Sequence, residues 1–438
     1  MTTVATRTVV PLGRFASAVD AARRSGELLV QPRMGFPTVD GMAAGLRSVQ
    51  AVRARTVGTI TLDSYTRVGD HASARLALRD GTELNGFPIV AHGAAVTRAM
   101  INSVGAQTFA IQVRHGSPLP LGIVEALVDA ALDATEGGPV SYCLPYSRTP
   151  LAEAVDAWAR SCEVLAERVP GAHLESFGGC MLGQLCPPGL LIALSVLEGL
   201  FFRQYGLRSI SLSYAQQTSH VQDLGAIAAL RRLAAERLAD VDWHVVLYTY
   251  MGVFPRTEAG ALSLLRQSAR LAAATGTERL IVKTPAEAHR IPTIADNVRA
   301  LEEAARAARD AAAEPDPLGT ESAEDAAELY AEARTLIDAV LDLDTDVGRA
   351  LLAAFRRGYL DVPFCLHADN AQRARSYIDA EGRLRWASVG HMPIHPGTGP
   401  VTGRLSADRL LTMLSYVQET FDRLAVGATA PGAAALIG

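Results

Sequence analysis

Residues 244–284, HVVLYTYMGVFPRTEAGALSLLRQSARLAAATGTERLIVKT, contain one complete strand–helix–strand unit. The apolar and aromatic run at 244–250 predicts a buried strand, and 279–284 predicts a second one. Between them, the apolar periodicity of 258–274 predicts an amphipathic helix. Strands joined through such a helix lie parallel in one sheet. This unit therefore indicates an α/β fold.

The same alternation runs back towards the N-terminus. Further strands are predicted at 28–33, 57–65, 109–114, 140–146, 173–178 and 209–214, and helices at 120–133, 151–168, 187–205 and 221–238. Eight strands that alternate with helices are typical of a (β/α)8 TIM barrel, whose active site lies at the C-terminal strand ends. A doubly wound open sheet is the alternative, which is disfavoured because no G-x-G-x-x-G follows the first strand.

The composition changes after the eighth strand. We assign the barrel and the sites at its mouth to residues 1–297. Residues 298–357 are rich in Ala, Glu and Arg and predict surface helices, broken at EPDPLG (314–319). Residues 358–438 are interpreted as a C-terminal α+β extension packed on the barrel.

The bulk composition excludes several classes of protein. The chain has 438 residues, 49% of them hydrophobic, which is typical of a globular protein. Its net charge of −5 gives no indication of a basic face that would bind nucleic acid. No apolar run is long enough to span a bilayer, and the first residues lack a signal-peptide core. Five cysteines without ligand spacing predict no structural metal and favour the reducing cytoplasm.

Charged residues recur where the predicted strands end. Arg33, Arg67 and Arg114 follow strands one to three, with His115 beside the last. Three guanidiniums around one mouth predict a ligand with two negative charges, since each such bond is worth about 1.5–3 kcal/mol. Glu136, next to strand four, could hold an ammonium group, so the set predicts an acidic amino acid. The competing interpretation is scattered rim ion pairs.

Alternation along the strands supports an inward direction for these side chains. Gln31 shares a strand face with Arg33, Gln112 shares one with Arg114, and Asp63 is predicted to share one with Tyr65. Motifs for a nucleophile, a metal pair or a phosphate loop are missing from the sequence, which favours chemistry supplied by a cofactor.

The eighth predicted strand ends in an unusual residue. One of the 41 basic residues is Lys283, and the other 40 are arginines. Because a forked guanidinium does not replace an ammonium, retention of this lysine indicates a function at the barrel mouth. Glu287 follows in Thr284-Pro285-Ala286-Glu287, which is also a capping-box pattern and needs no ligand.

Seven ordered motifs resemble one enzyme family. They are QPRMG (31–35), LDSYTR (62–67), LNGFP (84–88), VRHGSP (113–118), EGGPVSYCLPY (136–146), YMGVFP (250–255) and IVKTPAEAHRIPT (281–293). Over roughly residues 25–375 the chain resembles the large E (epsilon) subunit of glutamate mutase, or methylaspartate mutase. The resemblance implies an adenosylcobalamin-dependent radical isomerase that interconverts L-glutamate and (2S,3S)-3-methylaspartate.

The resemblance also implies roles for individual residues. Those implied to bind substrate are Arg33, Arg67, Arg114, His115, Glu136, Tyr142 and Tyr146. Those implied to contact adenosylcobalamin are Gly35, Asn85, Pro145, Phe254, Lys283, Glu287 and Ile291. Among them, Glu136 and Lys283 are the candidates for a direct part in catalysis.

The resemblance further implies an assembly. The cobalamin signature D-x-H-x-x-G does not occur in this sequence, so the cobalt ligand would come from the small S (sigma) subunit. Large subunits of the family dimerise, which implies a two-plus-two heterotetramer.

The chain departs from the family pattern at Cys143-Leu144, at Thr249-Tyr250, at Val253 and over 177–188. These positions border the pocket and leave open a mutase-like barrel with a shifted acidic substrate. A lyase that forms a Schiff base on Lys283 is a further alternative. A non-catalytic barrel that binds a partner or a dicarboxylate is disfavoured, because the three arginines, the residues expected to hold an ammonium group and the implied cofactor contacts occur together.

Overall fold

The computed structural model of the chain describes residues 11–105, 107–181, 185–313, 319–395 and 406–428. Eight parallel strands are hydrogen-bonded in the order β1-β8-β7-β6-β5-β4-β3-β2. They are β1 Leu29–Pro32, β2 Gly58–Thr61, β3 Ile111–Arg114, β4 Ala134–Gly137, β5 His173–Ser176, β6 Ser209–Ala215, β7 Asp242–Tyr248 and β8 Arg279–Val282. A parallel bridge between Val30 and Thr56 joins β1 to the segment leading into β2. The predicted (β/α)8 TIM barrel is confirmed.

Helices surround this sheet. They are α1 Arg14–Ser25, α2 Val39–Gln50, α3 Ser64–Arg67, α4 His71–Asp80, α5 Ile89–His92, α6 Ala94–Ser103, α7 Leu121–Asp129, α8 Leu151–Arg168, α9 Pro188–Gln204, α10 His220–Arg237, α11 Glu258–Ala274, α12 Ile294–Ala313, α13 Thr320–Leu341, α14 Val347–Arg357 and α15 Ala407–Ala428. The predicted bounds of α8 and α11 are confirmed. Helix α9 is buried along nearly its whole length, as expected of a helix between the sheet and an outer helix.

The prediction of the fourth strand at 140–146 is wrong. Strand β4 is Ala134–Gly137, so Glu136 lies within the strand and not before it. The amides of Val140 and Ser141 donate to Glu198 Oε1 at 3.1 and 2.9 Å, and the Ser141 hydroxyl donates to Glu198 Oε2 at 3.0 Å. The Glu198 carboxylate on α9 therefore accepts hydrogen bonds from backbone amides that, in a strand, would donate to a neighbouring strand.

The second strand also ends earlier than predicted. Asp63 accepts hydrogen bonds from the amides of Tyr65 and Thr66 at 2.8 and 3.1 Å, so it caps α3. Asp63 and Tyr65 consequently do not share a strand face. The partly buried Arg67 ends α3, and its Nε donates to the Leu62 carbonyl at 2.9 Å.

The segments after the barrel pack against it. Helix α13 buries Leu329, Leu336 and Ile337 and packs on α9 and α10. Strands β9 Arg375–Ile378 and β10 Leu384–Ser388 form the antiparallel pair of the C-terminal α+β extension. Helix α15, which the sequence did not predict, packs on α11. Residues 182–184 of the divergent 177–188 segment lie outside the described residues.

Polar side chains fill the lower part of the barrel. We define the barrel floor as the cluster formed by Gln31, Gln112, Glu175, Ser211, His244 and Arg279. Arg279 and Glu175 form an ion pair in which both side chains are fully buried. Arg279 also donates to Gln31 Oε1 at 2.7 Å and to Ser211 Oγ at 3.0 Å. The floor thus satisfies its own charges and supports the mouth above it.

Candidate active site

A cavity of about 430 Å³ opens at the C-terminal end of the barrel strands. The sequence-predicted residues that line it are Arg33, Gly35, Arg67, Asn85, Arg114, His115, Glu136, Tyr142, Tyr146, Glu287 and Ile291. They come from six separate stretches of sequence and converge because parallel strands end at one face of the barrel. We call this space the claw cavity.

Glu136 lies at the bottom of the claw cavity and is 1% exposed. Arg114 Nε donates to Glu136 Oε2 at 2.6 Å. The Tyr248 hydroxyl lies 2.8 Å from the same oxygen and also contacts Glu175 Oε1, and its one proton serves only one of these two carboxylates at a time. The Tyr142 hydroxyl bonds to Oε1. A carboxylate offers about four acceptor sites, so two or three donors leave at least one site for a ligand. Glu136 is therefore able to receive one N–H from an ammonium group.

Arg114 is the most deeply placed of the three predicted arginines. Burial disfavours its charge, but the Glu136 carboxylate more than offsets this and holds the pKa of Arg114 above its ordinary value. The Tyr248 ring lies 5.2 Å from the guanidinium carbon, which adds a cation–π contact. The charge of Arg114 is thus fixed in a largely dry environment.

His115 is neutral in this environment. Burial and the neighbouring charges of Arg67 and Arg114 lower the pKa of His115 to about 3. Its Nδ1 accepts the Ser117 amide at 3.0 Å, which places the proton on Nε2. His115 Nε2 is buried and lacks a hydrogen-bond partner among the described residues. The ring is stacked on Trp158 at 5.7 Å, which fixes its orientation in the wall of the claw cavity.

Arg33 and Arg67 complete the basic set. Arg33 Nη1 pairs with Glu287 Oε2 at 2.7 Å, whereas its buried Nε has no partner within the described part of the chain. Burial and the charges of Arg114 and Arg33 lower the pKa of Arg67 below its ordinary value. No carboxylate of the described residues lies within salt-bridge distance of Arg67. Its charge is left for a ligand anion.

The charges lining the claw cavity leave an excess of one. Three guanidiniums and the two carboxylates Glu136 and Glu287 line it, and neutral His115 adds no charge. A molecule with two carboxylates and one ammonium group carries the opposite net charge. The cavity therefore complements an acidic amino acid in both its net charge and its separate groups.

A second cavity of about 410 Å³ is lined in part by Lys283, the single lysine of the sequence. Lys283, Phe254 and Glu287 line it, and Glu287 lines the claw cavity as well. Lys283 Nζ donates to the Gly252 carbonyl at 3.3 Å and lies 4.4 Å from the centre of the Phe254 ring. Burial lowers the pKa of Lys283 to about 8. We call this space the lysine cavity.

Glu287 links the two cavities. Its Oε1 accepts the Thr284 amide at 3.0 Å while its Oε2 holds Arg33. Thr284 and Glu287 thus form the predicted capping box. The capping and ligand interpretations of Glu287 are consequently compatible, because capping uses only one of the two carboxylate oxygens.

Of two further predicted residues, one lies outside both cavities and the other is also explained by packing. Pro145 lines neither cavity, although it adjoins Tyr146. At Gly35, an added Cβ would lie 2.2 Å from the Thr61 carbonyl oxygen. Packing alone therefore requires glycine at this position.

Sequence reasoning missed two residues of the site. Tyr248 bonds Glu136 and also bonds Glu175, so it joins the claw cavity to the barrel floor. Its signal was the period of two along β7, which places it on the face of His244. Glu198 holds the segment that carries Tyr142, and burial raises the pKa of Glu198 to about 7 despite its four hydrogen-bond donors.

Comparison with known proteins assigns this site to a family. Residues 11–401 match the family described as "Methylaspartate mutase E chain (MutE)". The chain belongs to that family. It is 33% identical over 399 residues to a glutamate mutase epsilon subunit of Halobacterium salinarum, covering 89% of this chain and 82% of that one. Similar proteins of the same name occur in Haloarcula marismortui, at 34% identity with 85% and 77% covered, and in Escherichia coli, at 31% with 87% and 81% covered.

Within the described ranges, no group of three or more histidine, cysteine or carboxylate side chains is arranged to hold a metal ion. Within the same ranges, no helix combines the length and apolar character needed to cross a membrane.

Proposed function

We propose that this member of the mutase E family is the substrate-binding subunit of an adenosylcobalamin-dependent glutamate mutase, an isomerase of L-glutamate and (2S,3S)-3-methylaspartate. The observation that carries the proposal is the claw cavity, where Arg33, Arg67 and Arg114 line the same space as the Glu136 carboxylate. The relatives' names support the same reaction. The excess of one positive charge supports a substrate of net charge −1.

The residues present fit the proposed cofactor. Glu287 offers carboxylate oxygens at the join of the two cavities, and the lysine cavity supplies an aromatic face and a buried ammonium. Gly35, Asn85 and Ile291 line the same approach from the claw side. When bound, adenosylcobalamin would supply the radical chemistry that removes and returns a hydrogen atom. Its cobalt would be ligated by the small sigma subunit, in a two-plus-two assembly in the cytoplasm.

The chain itself would bind, orient and exclude water. The guanidiniums would hold the two substrate carboxylates, with the His115 Nε2 proton as an additional donor. Glu136 would accept an ammonium proton, while Tyr142 and Tyr248 fix the direction of its carboxylate. The buried floor beneath closes the barrel to solvent, which protects reactive species from side reactions.

A Schiff-base lyase remains the second candidate because of one observation. Burial lowers the pKa of Lys283 to about 8, which is the direction expected for an amine that attacks carbonyls. Lys283, however, lines the lysine cavity and not the claw cavity. Borohydride trapping with a keto acid separates the candidates: a covalent adduct on Lys283 would favour the lyase.

The direct test is reconstitution. We expect the purified chain to be inactive by itself and to convert 13C-labelled glutamate into 3-methylaspartate, seen by NMR, after addition of adenosylcobalamin and a small subunit carrying D-x-H-x-x-G. Turnover without a second protein would refute the assignment of cobalt ligation. Conversion of another acidic amino acid in place of glutamate would support the shifted-substrate alternative.

A further inference from the structure

Helix α15 lies next to the lysine cavity although it falls outside the family match, which ends at residue 401. Gln418 of this helix lines the cavity together with Lys283, Phe254 and Glu287. Its Nε2 donates to the Phe254 carbonyl at 3.0 Å. A segment beyond the matched family region thus contacts the loop on which Lys283 rests.

Asp422 fixes the other end of that loop. It accepts the amides of Arg256 and Thr257 at 3.0 and 2.9 Å and the Thr257 hydroxyl at 2.6 Å. These donors begin α11, so one carboxylate organises the turn between the loop and the helix. The hydrogen bonds hold the Asp422 pKa below its usual range although burial opposes this.

An apolar contact adds to these hydrogen bonds. Val417 and Phe421 of α15 pack with Tyr250, Phe254 and Leu264 in a separate buried cluster. Tyr250 is a position where the chain departs from the family pattern, and it is fully buried. Its large ring is therefore accommodated against α15.

The loop of residues 250–257 in turn determines the surroundings of Lys283. The Gly252 carbonyl accepts a hydrogen bond from the Lys283 ammonium group, and the Phe254 ring covers that group. The charged and titratable groups around the same cavity are Arg256, Glu287 and His289, and Arg33 adds its field from the claw side. Movement of the loop would admit water to an ammonium that is now 8% exposed.

We propose that α15 is a positioning element for Lys283: Gln418 and Asp422 fix the 250–257 loop and thereby hold the lysine in its dry, aromatic-covered place. This proposal rests on the proposed function only in that the lysine cavity would receive part of the adenosylcobalamin cofactor. Helix α15 would act through the loop, and Gln418 and Asp422 would be positioning residues.

The single lysine makes a direct test possible. Growth on [ε-13C]lysine places one labelled side chain in the full chain, and its NMR resonance titrates with Lys283 alone. We expect a pKa near 8 in the unchanged protein. Asp422→Ala and Gln418→Ala are each expected to raise it by about one pH unit or more, because water entry relieves desolvation. Asp408→Ala, an exposed aspartate at the other end of α15, is the matched control and should leave the pKa unchanged.

Two accompanying measurements keep the outcome clear. Near-UV circular dichroism identifies any unfolded variant, and Gln418→Ala, which removes one hydrogen bond, serves if Asp422→Ala unfolds. Amide exchange over residues 249–257 should accelerate in both variants but not in the control. A folded variant with unchanged Lys283 pKa would overturn the proposal. Since the experiment needs neither cofactor nor partner, its failure would leave the proposed mutase activity untested and standing.

Discussion

The barrel floor and the claw cavity use the same residue types for opposite purposes. In the floor, Arg279 and Glu175 are fully buried and bonded to surrounding side chains. In the claw cavity, Arg33 Nε and His115 Nε2 are buried without partners among the described residues. Buried polar groups that lack partners are costly, so the mouth, unlike the floor, keeps hydrogen-bonding capacity that the protein itself does not use. The difference teaches that the presence or absence of hydrogen-bond partners within the protein, more than residue type, distinguishes a structural charged group from one that binds a ligand.

The largest expected effect is a loss of stability when one charge of the barrel floor is removed. Arg279→Met should lower the free energy of unfolding by about 3–5 kcal/mol, because it leaves Glu175 buried and unpaired. Urea unfolding measures this. The double variant Arg279→Met with Glu175→Leu should be milder, since both charges are removed together. A single variant as stable as the unchanged protein would mean that the floor pair does not act structurally.

A change in the lysine cavity should cost activity and leave stability intact. Lys283→Arg is expected to reduce turnover of the reconstituted complex by about 100-fold, since a displacement of about 1 Å suffices for that. The guanidinium is larger than the ammonium held by Gly252 and Phe254. The reverse exchange Arg256→Lys on the rim of the same cavity is the control. Unchanged turnover in Lys283→Arg would show that the lone lysine has no special task.

Within the claw cavity, geometry should matter beyond charge. Arg114→Lys keeps the charge and loses the fork, so we expect glutamate binding to weaken by roughly 10-fold or more. Calorimetric titration measures the change, and cobalamin affinity should stay the same. The exposed Arg168→Lys, which alters a surface pair with Asp129, controls for the exchange itself. Equal glutamate affinity would remove Arg114 from the claw.

The smallest expected effect is a pH dependence. Lys283 is protonated below its pKa of about 8, so functions that need its charge should decline roughly tenfold per pH unit above it. Because the folded pKa is lowered, the unfolded state binds more protons between pH 8 and the ordinary value of 10.5. The contribution of Lys283 to stability should therefore rise with pH across that window. Activity that stays flat to pH 10 would contradict a role for the ammonium.

The sequence predicted the barrel because a repeated alternation of strand and helix is a local signal. It predicted Arg33, Arg67 and Arg114 at the mouth because strand ends converge in this fold. The fourth strand failed because a distant carboxylate, Glu198, captures the amides of Val140 and Ser141. Such a tertiary contact leaves no periodic trace in the sequence.

Other contacts could not be predicted from local sequence patterns because they also join residues that are far apart in the chain. The ion pair between Arg33 and Glu287 joins residues 254 positions apart. The bonds from α15 to the 250–257 loop span more than 160 positions. Sequence patterns identified the residue types at these sites, but only the fold shows which of them are already satisfied.

The central claim is that the claw cavity binds both carboxylates and the ammonium group of an acidic amino acid. Calorimetric comparison of L-glutamate with glutarate, which lacks the ammonium, tests it most directly, using the unchanged chain and Glu136→Gln. We expect glutamate to bind the unchanged protein at least about tenfold more tightly than glutarate, in line with a charge-assisted hydrogen bond. Glu136→Gln should abolish that preference. Equal affinity for the two ligands in the unchanged protein would contradict the account.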